Sequence, residues 1–214
     1  MVSLSEQAYE HLKNLIASQK LTYNKIYSET KLSGELGISR TPFRDAVHRL
    51  VQEGYIDIIP SKGFQLHQLT KKDVTETFQI RSALEGYCTV EIAKNASSAK
   101  AKKLLSELES LTQNMEQVMN TSHSIEEFIE YDFQFHRKII NYIGNSQFSS
   151  IFASYMYRMQ RLAALSLSHK GRMENTCREH TAILNSMSSG RIEQVYEHTL
   201  RHMNTPRGIN LEDL

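Results

Sequence analysis

The stretch Leu36-Gly37-Ile38-Ser39-Arg40-Thr41-Pro42-Phe43-Arg44-Asp45-Ala46-Val47-His48-Arg49-Leu50-Val51 decides how the chain is read. Gly37 can take the left-handed conformation that ends a helix, so a short helix capped by Ser28 is expected to stop at Leu36. Ser39 to Thr41 then open another helix, with Pro42 in its first turn, where a missing N–H costs nothing. Phe43, Ala46, Val47, Leu50 and Val51 recur at helical spacing and predict a buried stripe, and Gly54 closes the helix after Glu53. Two short helices across a turn of about four residues form a helix-turn-helix pattern.

Upstream, residues 3–18 read as a first helix, with Ser3 and Glu6 at capping-box spacing and an apolar stripe of Ala8, Leu12, Leu15 and Ile16. Downstream, the period changes. Tyr55-Ile56-Asp57-Ile58-Ile59 has β character, Pro60-Ser61-Lys62-Gly63 is turn chemistry, and Phe64-Gln65-Leu66-His67 alternates, which predicts a hairpin appended as a wing.

Beyond Thr70 nothing reads as sheet. Thr70 and Asp73 form a capping box for a helix carrying Val74, Phe78, Leu84, Cys88 and Ile92 to about Asn95. Further helices are expected at 98–119, 124–142 (opened by Ser124 and Glu127), 146–168, 174–188 and 190–204. The expected class is mainly α. An N-terminal winged helix-turn-helix domain occupies residues 1–68, and an all-α antiparallel helical bundle occupies residues 69–214.

Composition agrees with two modest globular domains: of 214 residues, 40% are hydrophobic and 23% charged, and only 3 are Pro and 9 Gly. No run approaches the roughly 18 apolar residues of a membrane span, and Met1 to Glu6 has no secretory pattern, so a cytoplasmic protein is expected. Cys88 and Cys177 match no metal or redox spacing and read as buried free thiols. The formal charge is only +1. Any grip on nucleic acid must therefore come from locally placed groups, which a homodimer would double.

Those groups are clear. Arg40 and Arg44, four apart at the start of a helix, point from one face and suit bidentate contact with guanine O6 and N7. Ser39 and Thr41 can meet phosphate beside the helix N-terminus, Arg49 can touch backbone, and Lys62 beside Gly63 puts a charge at the wing tip.

In the second domain, Asp132 and His136 lie four apart on a helix flanked by Phe128, Phe133, Phe135, Ile139 and Ile140. A carboxylate and an imidazole facing a packed interior need partners. A hydrogen-bonded pair would satisfy them; so would a Zn, Ni, Mn or Fe ion, which this donor set suits better than Ca. His169, His180, His198 and His202 could each complete a shell, and spacing alone does not choose among them.

Residues 36–54 closely resemble the signature of the GntR superfamily of bacterial transcriptional regulators, and Pro60-Ser61-Lys62-Gly63 resembles its wing tip. The resemblance implies base readout by Arg40 and Arg44 on a palindromic double-stranded operator. Thr30 and Lys62 stand where the family has arginines, and Tyr23-Asn24 where it has Pro-Gly, which implies a different operator or a weaker backbone grip. Arg81-Ser82-Ala83-Leu84-Glu85, the run Tyr131 to His136 followed by Gly144-Asn145, and Glu179-His180 with Ile183 resemble the FCD ligand-binding domain of the FadR-type branch.

That likeness implies metal ligands Asp132, His136, His180 and His202, with His198 as alternative and zinc the favoured ion. It also implies a small carboxylate effector, with Arg81 as helper and Tyr155, Arg158 and Arg161 on a pocket-lining helix. Arg81 read alone is equally a salt bridge between helices. The function implied is an effector-controlled repressor. The alternatives are a metal-dependent hydrolase, which a donor set of one Asp and three His permits, and a structural DNA-organising protein.

Overall fold

A computed structural model describes residues 2–214. The chain divides into two compact units, Met1–Leu69 and Thr70–Leu214. It is mainly α-helical: N-terminal helices carry a small hairpin, and a helical bundle follows.

In the first unit, α1 (Leu4–Ala17), α2 (Glu29–Glu35) and α3 (Arg40–Gln52) precede β1 (Ile56–Ile59) and β2 (Gly63–Leu66). Ser3 accepts the Glu6 N–H as an N-cap, and Gly37 (φ +70°) and Gly54 (φ +77°) follow α2 and α3 in left-handed conformation. The antiparallel strands pair Ile56 with Leu66 and Ile59 with Gly63, and Tyr27 adds a bridge to Phe64. Ala8, Leu12, Phe43, Val47, Leu50 and Phe64 meet in one core, so the α3 stripe packs on α1 and the hairpin while the opposite face of α3 stays in solvent.

The second unit holds α4 (Lys71–Lys94), α5 (Ala99–Asn120), α6 (Ile125–Tyr142), α7 (Ser146–Ser154), α8 (Met156–Leu167), α9 (Arg172–Ser188) and α10 (Ile192–Asp213). Thr70 and Asp73 form a reciprocal capping box. Ser124 caps α6 through the Glu127 N–H, but the Glu127 carboxylate takes the Ser122 hydroxyl instead of closing a box. The core runs through Cys88, Ile92, Leu108, Met115, Phe128, Phe135, Ile139 and Val195. Gly86 lets α4 and α10 approach, since a Cβ there would lie 3.1 Å from the Tyr196 ring.

Two expectations change. The single helix at 146–168 is two, broken at Tyr155 (φ −94°, ψ −4°). The last helix does not stop at 204: α10 runs on to Asp213 through Pro206, although Pro206 brings no N–H to the His202 carbonyl one turn earlier. The buried Asn210 side chain donates to the Leu162 carbonyl (3.1 Å) and holds the extension against α8. Among the described residues, no helix is long and apolar enough to cross a membrane. Cys88 and Cys177 are free and buried, and burial pushes each thiol up to about 12.

Candidate functional site

In the first unit, Ser39, Arg40, Thr41, Arg44 and Lys62 are all exposed. Ser39 starts α3 without making a side-chain cap bond, which leaves its hydroxyl available. The Arg44 guanidinium stands 3.6 Å from the Glu29 carboxylate at the start of α2. Arg49 differs from its companions. It donates to Glu6 (2.9 Å) and Glu53 (3.1 Å) and lies 3.6 Å over the Tyr9 ring, so its contacts tie α3 to α1. Gly63 (φ +126°) also has an internal reason: a Cβ would fall 2.0 Å from the Tyr27 carbonyl oxygen. The left-handed residue at the hairpin tip is Ser61 (φ 62°).

In the second unit, Asp132, His136, His180 and His202 converge from α6, α9 and α10, all buried, with one ligand atom of each within 4.8 Å of the others. His180 Nε2 is 3.2 Å from His202 Nε2 and 3.4 Å from Asp132 Oδ1. His136 Nε2 is 3.3 Å from His202 Nε2 and 3.7 Å from Asp132 Oδ1. Ligands about 2.1 Å from one ion stand about 3.0–4.2 Å apart on an octahedron, where four of them leave two positions open, and these four spacings fall within that range. Three imidazole nitrogens turned toward one another and a carboxylate oxygen cannot all satisfy one another as donors and acceptors; a cation at their centre resolves that conflict. The donor set therefore fits a divalent transition metal.

Two ion pairs orient the rings from behind. His136 Nδ1 meets Glu85 Oε2 (2.5 Å), and Arg81 Nε donates to Glu85 Oε1 (2.7 Å). His202 Nδ1 meets Glu179 Oε2 (2.8 Å), and Arg172 holds both oxygens of Glu179 (3.0 and 2.7 Å). Such carboxylate–imidazole pairs fix tautomer and ring direction at metal centres. His180 is set by stacking on Phe135, at 4.3 Å between ring centroids, and its buried Nδ1 has no hydrogen-bond partner among the described residues.

Electrostatics follow this layout. Burial opposes ionisation of Glu85, but Arg81 and His136 outweigh it and bring the carboxyl down to about 2. Burial likewise acts against Glu179, where His202 and Arg172 bring it to about 2. Asp132 is held low against burial by the three histidines. Burial and the neighbouring His202 keep His180 well below the ordinary imidazole value, and burial lowers His202 against the pull of Glu179. His136 alone is raised, since Glu85 overcomes its burial.

A cavity adjoins the cluster, with about 410 Å3 of space unfilled by atoms, its mouth included. Only about 30 Å3 of it admits the centre of a water molecule, so it accepts a small guest unless α8 moves. Asp132, His202, Arg81, Arg172 and Thr77 supply its polar wall, and Met159, Leu162, Ala163 and Leu167 of α8 its apolar wall. Arg81 Nη2, Arg172 Nε and Thr77 Oγ1 are buried without hydrogen-bond partners. Buried donors in that condition lining a cavity point to a guest with acceptor oxygens.

The cavity thus takes in Arg81 but neither Tyr155 nor Arg158. Arg158 instead lies 3.6 Å from Asp73 and over the Tyr155 ring. The Arg81 salt bridge runs within α4, not between helices. His198 stands apart from the cluster, with Nδ1 against Ser186 Oγ (2.8 Å) and the Ala182 carbonyl (3.2 Å), and His169 pairs with Asp213. Arg172, Thr77 and the roles of Glu85 and Glu179 had escaped the sequence reading. Glu179 beside His180, and Glu85 four residues after Arg81, were the visible signals.

A helix-turn-helix with a hairpin, on a chain whose helical bundle encloses a buried Asp and three His beside a cavity, defines a class of two-part proteins. The FCD domain model matches residues 76–205, more than half of the chain, and the model of bacterial regulatory proteins of the gntR family matches residues 4–66. The chain belongs to the GntR/FCD family of transcriptional regulators.

It is 25% identical over 198 residues to the HTH-type transcriptional regulator YdhC of Bacillus subtilis, covering 92% of this chain and 87% of that one. Two solved structures share the fold. Escherichia coli McbR/YncC has a TM-score of 0.72 at 20% identity, covering 100% of this chain and 99% of that one. The Zn2+-bound FCD domain of TM0439 has a TM-score of 0.54 at 20% identity, covering 68% of this chain and 96% of that one.

Proposed function

We propose that the chain is a cytoplasmic, one-component repressor of the FadR-type branch. Its homodimer reads a palindromic operator, and its helical domain senses a small carboxylate held beside a divalent ion, zinc before Ni, Mn or Fe. The winged helix-turn-helix domain of residues 1–68 contacts DNA through Ser39, Arg40, Thr41, Arg44, Lys62 and the glycine-backed wing tip at Gly63. Arg49 braces that domain and meets phosphate only by exchanging its present partners. Two recognition helices related by a two-fold axis enter successive major grooves. Residues 69–214 form the sensing and dimerisation domain.

The observation that carries this reading is the pairing of a four-ligand cluster with orphaned buried donors in one cavity. Asp132, His136, His180 and His202 would hold the ion, whose contribution is a Lewis-acidic anchor for a carboxylate. Arg81 and Arg172 each have a guanidinium nitrogen without a partner and would receive the other carboxylate oxygen or a neighbouring hydroxyl. Thr77 would fix the orientation. The TM0439 domain, described as Zn2+-bound, supports zinc. We read the site as a sensor and not as a hydrolase, because Glu85 and Glu179, the carboxylates behind the histidines, are both neutralised by arginine and neither is free to act as a general base. Tyr155 caps the pocket's helix α8 and Arg158 stands in its first turn, and both would join the site only if α8 shifted.

The test is fluorescence anisotropy with metal-loaded protein on a duplex from its own promoter, titrated with a panel of small carboxylic acids. One acid should change operator affinity by about 5- to 150-fold. Equal, salt-sensitive attachment to every duplex, or no response to any acid or to chelation, would sink the reading.

A further inference from the structure

A second opening lies between α9 and α10. It is lined by Asn175, Arg178, Glu179, His198, Arg201 and Thr205, with Ala182 its one apolar wall residue. It is a groove with about 970 Å3 of space unfilled by atoms, the solvent at its mouth included. It is open as it stands and wide enough for a metabolite of modest size. Six of its seven lining residues are polar or charged, with their carbon stems forming much of the wall, which suits a hydrophilic guest.

Two guanidiniums face this space from opposite helices. The Arg201 guanidinium makes no hydrogen bond or ion pair with any described residue, while its carbonyl accepts from the Thr205 hydroxyl (3.0 Å). Arg178 bonds the Asn175 side chain and lies 3.9 Å from Glu174, and it is 68% exposed. Glu179 adds no repulsion of comparable size, because Arg172 neutralises it from the inner side.

His198 is held for a purpose the metal cluster does not use. The Ser186 hydroxyl donates to the Ala182 carbonyl (2.8 Å), so His198 Nδ1, 2.8 Å from that oxygen and 3.2 Å from the same carbonyl, carries the ring hydrogen. Nε2 is then an acceptor, suited to a hydroxyl hydrogen. Two arginines for a compact dianion, with an imidazole acceptor, an amide and a hydroxyl around them, define a complementary ligand.

We propose that this groove binds a hydroxylated phosphate monoester, with Arg178 and Arg201 on the phosphate and His198 on a hydroxyl. We further propose that Glu179 relays its occupancy to His202. The link is a hydrogen bond: Glu179 lines the groove and accepts from His202 Nδ1 at Oε2 (2.8 Å), so an anion held by Arg178 and Arg201 alters the field on the ring that faces the metal cluster.

The experiment is calorimetric titration of the purified full chain with glycerol 3-phosphate, repeated after chelation. Saturable binding is expected in both states, weakened at least about tenfold in Arg201→Gln and in Arg178→Gln. Both residues are exposed, so both variants should fold. Binding should be unchanged in Arg137→Gln, which removes an exposed arginine of α6 outside the groove, and in Arg44→Ala, which reports on the DNA face. Loss in either of those two variants, full affinity in the Arg178→Gln/Arg201→Gln pair, absence of saturable heat, or gluconate binding as tightly as the phosphate would overturn the site. Binding that left the imidazole 15N resonances of His202 unmoved would overturn the relay through Glu179.

Discussion

Replacing Glu85 by Gln keeps the shape of a side chain only 1% exposed but removes the charge that Arg81 and His136 share. Arg81, with its side chain 9% exposed, would be left as a buried cation without a counter-ion. Breaking a buried pair from one side costs about 3–5 kcal/mol. The carboxyl itself points to the same size: its shift from 4.5 to about 2 corresponds to about 3 kcal/mol in favour of the ionised form. Against a typical stability of about 5–15 kcal/mol this is a large fraction. His136 also loses the acceptor that orients its ring, and loss of such a partner weakens metal binding about 10- to 100-fold.

Urea unfolding of the metal-free protein would measure the first quantity, and competition with a chromophoric chelator the second. Arg81→Met combined with Glu85→Leu removes both charges. It should recover most of the stability while leaving the metal defect in place, because His136 Nδ1 stays without its partner. A loss below about 1 kcal/mol in Glu85→Gln together with unchanged metal affinity would refute the reasoning, since it would mean that the Arg81–Glu85–His136 chain is not ionic in solution.

In the metal-free protein His180 and His202 are depressed below 6.5 and His136 is raised above it. The depressed pair contributes stability present above 6.5 and lost on acidification; His136 contributes stability present below 6.5 and lost as pH rises through its folded value. Unfolding free energy should therefore peak near neutrality and fall on both sides between about pH 5 and about pH 8, and a monotonic profile would contradict the assignment. His180→Ala should abolish stoichiometric metal by elemental analysis, and a variant still carrying one ion per chain would remove His180 from the ligand set. Gly63→Ala should cost at least about 2 kcal/mol in thermal or urea unfolding without any DNA present, because the Tyr27 carbonyl it would strike is backbone and cannot rotate away. Arg44→Ala should lose about 1–3 kcal/mol on the operator and little on random duplex; equal loss on both would mark a phosphate contact.

Much of the architecture was legible because its signals are local. Gly37 and Gly54, the Thr70–Asp73 box and the period change after Tyr55 each report on a few neighbouring residues. The break at Tyr155 had no such signal, since no Pro or Gly stands there. At Pro206 the local signal runs against the structure. A proline ordinarily ends a helix, but Asn210 bonding to Leu162 recovers the extension through a contact 48 residues away in the chain. At the site, the likeness to a known family singled out four residues that the structure brings together. Spacing alone had left His198 and His169 open, and the Ser186 and Asp213 contacts that occupy them are long-range. Arg172 was invisible because its bond to Glu179, local within α9, gains meaning only from the long-range bond of Glu179 to His202.

The ligand cluster has a topological consequence. His136 and His202 stand 66 positions apart in the chain and touch across the interior of one bundle. An ion bound to both closes that span as a cross-link does, and the chain entropy it removes from the unfolded ensemble corresponds to about 4 kcal/mol. The same atom that would receive a signal molecule would thus also buckle the end of the polypeptide to its middle. Withdrawing it should leave a protein still folded but with its final helix the first part open to a protease.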